Sequence, residues 1–234
     1  MLPLIELSLR YDKVQARISD AASKSGRARA EIELIVVTKT HPASLVAELV
    51  DLGQLAFGEN KDQEAKPKAE LLRQLRPDAA ANWHFVGQLQ SNKVKSVLSY
   101  ADVIHSLDRG SLLKELAKQL ANSGKQVSAF IELNLTDDPN RGGLAPDSIR
   151  QFAERAAEVE NLEILGLMAV AGLGVDPRVD FERVQKHSQK LQEVIASANK
   201  LSLGMSADFE QAIEFGATHL RVGSEITGPR GNNT

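Results

Sequence analysis

The 234 residues are 42% hydrophobic and 25% charged, a globular composition on a chain long enough to bury a sizeable core, so disorder over most of the length is excluded. With 28 Lys+Arg against 31 Asp+Glu and a net charge of −3, there is no basic footprint for nucleic acid. Cysteine is absent, which excludes a disulfide framework, a thiolate metal site and a thiol nucleophile.

The opening run MLPLIELSLR carries Glu6 and lacks a basic leader and a small-residue cleavage site, so it does not read as a signal peptide. No run nears the roughly 18 apolar residues of a membrane span. A cytoplasmic protein without membrane or nucleic-acid partners is expected. The first element is an amphipathic helix with Ile5, Leu9, Val14 and Ile18 roughly along one side. Then β-rich and helical runs alternate: strand 32–39 (IELIVVTK), helix 43–52, strand 54–59 (QLAFGE), helix 61–75, strand 82–88 (NWHFVGQ), helix 91–98 and strand 101–106 (ADVIHS). The pattern continues with helix 110–122, strand 128–135 (SAFIELNL), helix 146–159, strand 162–170 (LEILGLMAV), helix 178–198, strand 200–206 (KLSLGMS), helix 207–215 and strand 219–224 (HLRVGS).

Parallel neighbours need crossovers, and helices are the usual ones. Eight such units suit an α/β chain closed into a (β/α)8 TIM barrel. Residues 1–30 are read as an N-terminal helix packed on the barrel, 31–226 as the barrel and 227–234 as a flexible tail. Little chain follows Ser224, so the last barrel helix is absent or supplied by the opening one. The longest connection, TDDPNRGGLAP at 136–146, is rich in turn formers and predicts a mobile loop.

In such barrels reactive groups gather at the C-terminal strand ends, and the loops after strands seven and eight often hold phosphate. Lys39 ends strand one, Gly58-Glu59-Asn60 strand two, Gln88 strand three, Ser206 strand seven and Gly223-Ser224 strand eight. Period-two alternation turns Ile35, Val37 and Lys39 inward, with Ser202, Gly204 and Ser206 and with His219, Arg221 and Gly223. It leaves Leu201, Leu203, Met205, Leu220 and Val222 against the helices. An apolar approach and the facing Arg221 both favour the neutral amine that a Schiff-base lysine needs at Lys39. That lysine with a cradle of Ser206, Gly223 and Ser224 describes a pyridoxal phosphate site. A phosphosugar site would use a similar cradle, and spacing leaves both open. Plainer readings stand beside these: a solvated Lys39, Ser206 as the N-cap of the next helix, and His84 as a hydrogen-bonded core histidine.

The runs VVTKTHP, FGEN, WHFVGQLQSNK, LGLMAV, LSLGMSADFEQAI and RVGSEITG resemble the pyridoxal phosphate homeostasis proteins, the YggS/PROSC family. The resemblance implies a barrel similar to the N-terminal domain of alanine racemase, usually without demonstrated turnover. Its members hold, buffer or deliver pyridoxal 5'-phosphate, with apo-enzymes that use it as recipients. Lys39 resembles the lysine that carries the cofactor covalently, as N6-(pyridoxal phosphate)lysine, and Asn60 the strand-two residue near its ring. Met205 and Ser206 resemble the strand-seven segment at the phosphate, and Gly223 and Ser224 its backbone and hydroxyl contacts. Arg221 resembles the arginine facing the pyridine nitrogen, which would keep that nitrogen unprotonated and the ring a poor electron sink. The chain departs from the family pattern at Ser224-Glu225-Ile226-Thr227-Gly228, where a Thr and an IFG-like continuation are usual, and at Arg141, where a Lys usually precedes the loop glycines. A monomer is expected.

Two enzyme readings compete. A racemase of the alanine racemase type needs a second base, in those enzymes a tyrosine from an additional C-terminal domain of the partner subunit. Tyr11 and Tyr100, the two tyrosines here, fall away from the predicted rim, leaving His84 or His105 as substitutes. A phosphosugar enzyme would want a carboxylate base, with Glu59 and Glu132 as candidates; Glu132 could instead pair with Arg221. The five histidines, 41, 84, 105, 187 and 219, show no HxxxH or HxH spacing, so no metal is expected.

Overall fold

The structure, a computed structural model, describes residues 2–136, 141–172 and 174–229. After α1 (Leu2–Lys24) come β1 (Glu33–Val37), α2 (Ala43–Asp51), β2 (Ala56–Glu59), α3 (Asp62–Leu75), β3 (Asn82–Phe85), α4 (Val94–Val97), β4 (Val103–Leu107) and α5 (Gly110–Ser123). Then follow β5 (Val127–Glu132), α6 (Ile149–Ala157), β6 (Leu162–Met168), α7 (Pro177–Gln192), β7 (Lys200–Ser202), α8 (Phe209–Glu214), β8 (His219–Val222) and α9 (Ser224–Thr227). Each predicted strand forms. Consecutive strands pair in parallel and β8 returns to β1, with Ile35 opposite Arg221 and Val36 opposite Val222, which closes the barrel.

The two faces of the strands have different chemistry. Leu34, Val36, Phe57, Ile104, Ile131, Leu201, Leu220 and Val222 join the helices in one continuous apolar core. Val103, Phe130 and Met168 form a second, interior cluster with Leu165 and Val170. Each large aliphatic side chain buried in these layers contributes roughly 1.5–3 kcal/mol.

The opening helix packs over α8 and α9, beside the last strand. The seam of α1 that is buried is Leu7, Tyr11, Val14 and Ile18, whereas Ile5 and Leu9 of the predicted stripe are 55% and 65% exposed. The i, i+4, i+7, i+11 spacing of the buried set runs straight along the helix, while Ile5 and Leu9 turn off it. Arg17 fixes the helix crosswise, donating to Glu210 of α8 at 2.6 Å and to Glu225 of α9 at 2.6 Å. Arg10 Nε donates to the carbonyl of Ile226 at 2.8 Å.

Several strands stop short of their expected ends, β1 at Val37, β3 at Phe85 and β7 at Ser202, and the end of the barrel moves the other way. Thr227 and Gly228 are buried, and the Gly228 N–H donates to the Ser224 carbonyl at 3.0 Å, so the packed chain runs past the expected end at 226. Residues 230–234 of the expected tail lie outside the described residues. In the 136–146 connection, residues 137–140 likewise lie outside them, and with them the core of the predicted mobile loop. The described remainder is anchored: Leu133 bridges Leu144, and Arg141 donates to the carbonyls of Val170 at 2.9 Å and Ala171 at 3.2 Å.

Candidate functional site

A cavity of about 510 Å³ opens at the C-terminal ends of the strands. Lys39, Asn60, Met205, Ser206, Arg221, Gly223 and Ser224 all line it, so the structure brings the whole predicted set together. Val37, Val86, Met168 and Val170 supply apolar walls. The volume lies within the usual range for small-molecule pockets.

Strand seven is where alternation misleads. β7 ends at Ser202, and Gly204 has φ +85°, a left-handed conformation that breaks the period of two. A Cβ on Gly204 would sit 2.8 Å from the Ala212 Cβ, so this residue faces α8 rather than the barrel interior. Beyond it Met205, expected against the helices, is 40% exposed and reaches the cavity. Nor does Ser206 cap α8. The N-cap position belongs to Asp208, whose carboxylate accepts from the Met205 N–H at 2.6 Å, and the Ser206 hydroxyl is left facing the cavity.

Below the cavity runs a polar column. Arg221, 5% exposed, donates through one terminal nitrogen to the carbonyl and hydroxyl of Ser202 and through the other to the Ala169 carbonyl at 3.0 Å. Burial lowers its pKa to about 10, leaving it a cation at neutral pH. The Ser202 hydroxyl lies 2.8 Å from His105 Nδ1, and His105 Nε2 lies 2.9 Å from His84 Nδ1. His219 pairs with Glu33 at 3.0 Å and packs edge-on against Phe130. His84 and His105 are thus interior groups that do not line the cavity.

Lys39 sits just past β1, half-buried, in a turn closed by the His41 N–H donating to the Thr38 carbonyl at 3.1 Å. Glu59, a candidate general base, points away from the cavity. It is fully buried, accepts from the Thr38 hydroxyl at 2.7 Å and pairs with Lys68 of α3. Burial pushes its carboxyl up, opposed by Lys68. Glu132 does line the cavity, and accepts from the Gln88 amide at 2.9 Å rather than pairing with Arg221. Burial, with Asp108 adding to it, pushes its carboxyl up to about 7. Tyr11 bonds to Gln54 at 3.2 Å, Tyr100 is buried before β4, and neither reaches the cavity. Among the described residues no three His, Cys, Asp or Glu side chains are grouped to hold a metal.

Sequence reasoning passed over Thr40, His41, Gly87, Met168 and Thr227, which also line the cavity. For Gly87 the available signal was a glycine near the end of strand three; the structure gives its reason, since a Cβ there would come within 2.2 Å of the Asn60 carbonyl oxygen.

A family model described as alanine racemase, N-terminal domain, matches residues 9–231. The pyridoxal phosphate homeostasis protein of Pseudomonas aeruginosa is 36% identical over 225 residues, 93% of each chain. That of Escherichia coli is 35% identical over 227 residues, covering 93% of this chain and 94% of its own. The chain belongs to the pyridoxal phosphate homeostasis protein family. Among solved structures, PipY of Synechococcus elongatus with PLP bound is similar at TM-score 0.79 and 31% identity, over 90% of this chain and 100% of its own. Alanine racemase of Clostridium difficile shares the fold alone, at TM-score 0.71 and 13% identity, over 94% of this chain and 56% of its own.

Proposed function

We propose that this family member holds pyridoxal 5'-phosphate in the barrel-mouth cavity, linked covalently and reversibly to Lys39, and delivers it to apo-enzymes without turning over a substrate. The observation that carries this reading is the convergence of Lys39, Asn60, Met205, Ser206, Arg221, Gly223 and Ser224 on one cavity. An amine, a guanidinium, two hydroxyls and apolar walls fit an aromatic aldehyde bearing a phosphate. When bound, the cofactor supplies an aldehyde that condenses reversibly with an amine.

The chain's own groups have separate tasks. Ser206 and Ser224 offer hydroxyls to the phosphate, and Ser224 and Glu225 offer their N–H groups, which come before Ile226, the first residue of α9 to donate to the Gly223 carbonyl. Val37, Val86, Met168 and Val170 keep water from the ring. Arg221 is fixed in place by Ser202 and Ala169 and stays cationic, so it opposes protonation of a pyridine nitrogen beside it. A ring held in that state is suited to storage more than to carbanion chemistry. The absence of a tyrosine from the cavity lining among the described residues supports the same choice. We also assign the protein to the cytoplasm as a monomer. It has no cysteine that would call for an oxidising compartment, and no helix among the described residues is long and apolar enough to cross a membrane.

Purified protein loaded with pyridoxal phosphate should absorb in the visible range, and borohydride reduction followed by peptide mapping should place the label on Lys39. A folded Lys39→Ala variant that kept reducible label would sink the assignment. Transfer to an apo-enzyme without exchange of the α-proton of L- or D-alanine in deuterated water would support a carrier. Exchange at a catalytic rate would overturn it in favour of a racemase.

A further inference from the structure

The peptide units on either side of Lys39 are held by one ionic cluster outside the barrel. Lys68, 6% exposed on α3, has three N–H donors and meets three acceptors: the Thr38 carbonyl at 2.8 Å, Glu64 at 2.8 Å, and Glu59. Glu59 in turn accepts from the Thr38 hydroxyl at 2.7 Å, and Glu64 accepts from the Thr40 N–H. Residue 38 is therefore gripped through its side chain and its carbonyl, and residue 40 through its amide. The residue between them is Lys39.

Thr40 records what this grip does to the backbone. It has φ +67°, a left-handed conformation that a β-branched residue adopts only when its surroundings impose it. Apart from Asn161, it is the one non-glycine residue with positive φ among the described residues. The local sequence offers no glycine at this bend, and two contacts hold the conformation: the His41 N–H to the Thr38 carbonyl within the turn, and the Thr40 N–H to Glu64 from α3. The cluster stands on the helix side of β1 and β2, and none of Lys68, Glu59 and Glu64 lines the cavity. It reaches Lys39 through the main chain, and the charges of Lys68 and Glu64 also bear on His41 at the cavity wall.

We infer that Lys68, Glu59 and Glu64 are positioning residues that aim the Lys39 amine into the cavity by clamping Thr38 and Thr40. The inference rests on the reading of Lys39 given above. The cluster sets how fast and how completely Lys39 captures an aldehyde, and leaves the affinity for the phosphate-bearing ring unchanged.

The test separates those two quantities. Thr38→Val removes the hydroxyl grip with little change of shape, Glu64→Ala removes the grip on the Thr40 amide, and Glu64→Gln keeps a carbonyl oxygen for the Thr40 N–H. Affinity for pyridoxine 5'-phosphate, which has no aldehyde, reads the cavity alone. The rate of borohydride-trapped labelling of Lys39 by pyridoxal 5'-phosphate reads the aim of the amine. Glu64→Ala and Thr38→Val should each slow trapping by about tenfold, within the range that small misplacements of reacting groups cause, with pyridoxine 5'-phosphate affinity kept within about twofold. Glu64→Gln should restore most of the rate. Trapping at the wild-type rate in both variants would overturn the inference. So would a parallel loss of affinity and trapping, because the cluster would then only hold the fold together. Wild-type label found elsewhere than on Lys39 would instead overturn the assignment of Lys39 itself, and the clamp with it.

Discussion

His84 Nδ1 lies 2.9 Å from His105 Nε2 at the centre of the barrel, and Arg221 decides which of the two donates. A guanidinium has no acceptor, so Arg221 donates to the Ser202 hydroxyl, and sending that hydroxyl's own proton to His105 Nδ1 is the arrangement that gives the proton a partner. His105 then carries hydrogen on Nε2 and donates to His84, whose own Nε2 is buried without a partner. Neither ring accepts a second proton easily. Burial lowers the His84 pKa from 6.5 to about 4 and drives that of His105 well below its ordinary value. The unfolded chain therefore binds protons that the native one refuses. The stabilisation is complete above 6.5 and is lost as pH falls towards about 4. For His84 a shift of this size is worth roughly 3 kcal/mol. Urea midpoints of the cofactor-free protein should fall through this window, and His84→Gln should flatten the fall; an unchanged slope in the variant would show that His84 is not the group responsible.

Glu132 runs the opposite way. Its carboxyl is raised from 4.5 to about 7, first by burial and then by Asp108, so the native state holds a proton that the unfolded state has released. That contribution is present below 4.5 and disappears as pH rises through about 7. The two effects oppose each other between 4.5 and 6.5. Glu132→Gln keeps a carbonyl for Gln88 and has nothing to titrate. Its stability should therefore rise more steeply with pH than that of the wild type, and parallel curves would refute the raised carboxyl.

Gly143 and Gly124 both have positive φ, at +116° and +65°, yet they should respond differently to alanine. Gly124 ends α5 in open space, so Gly124→Ala meets only the backbone preference, about 1 kcal/mol. A Cβ on Gly143 would lie 2.3 Å from the Asn134 amide nitrogen and 2.5 Å from the Leu133 carbonyl carbon. Main-chain atoms cannot turn aside as a side-chain tip can. Gly143→Ala should cost well over the ~1 kcal/mol of the simple backbone preference, as read by thermal or urea unfolding. Equal losses in the two variants would mean that the loop relaxes around the methyl group.

The barrel was legible because its signals are local. Alternation of β-rich and helical runs located every strand, and the apolar face of Leu34 and Val36 or of Leu220 and Val222 reads directly from a period of two. Long-range geometry was not legible in the same way. Nothing near Lys68 says that its ammonium ends on Thr38, thirty residues earlier in the chain. Met205 was placed on the wrong face because a single left-handed residue, Gly204, resets the alternation behind it. Ile5 and Leu9 looked like core because hydropathy does not tell which of two adjacent stripes the barrel covers. The strand-end polar residues are legible because the rim rule needs only the approximate place where a strand stops, and it tolerates β1 and β7 ending at Val37 and Ser202, short of Lys39 and Ser206.

Ser206 and Ser224 approach the cavity from different loops, after β7 and β8, and neither hydroxyl has a hydrogen-bond partner among the described residues. Asp208 takes the Met205 amide, which leaves the Ser206 hydroxyl free of capping. If the two serines grip a phosphate, each should be worth about 1.5–3 kcal/mol as a hydrogen bond to a charged group. Ser206→Ala and Ser224→Ala should then weaken binding of pyridoxal 5'-phosphate and leave that of pyridoxal, which lacks the phosphate, unchanged. The two loops meet the anion independently, so the double variant should lose close to the sum of the single losses. Isothermal titration of both ligands against the three variants reads the result. Equal weakening for pyridoxal and its phosphate would place the serines beside the ring and move the phosphate elsewhere in the cavity.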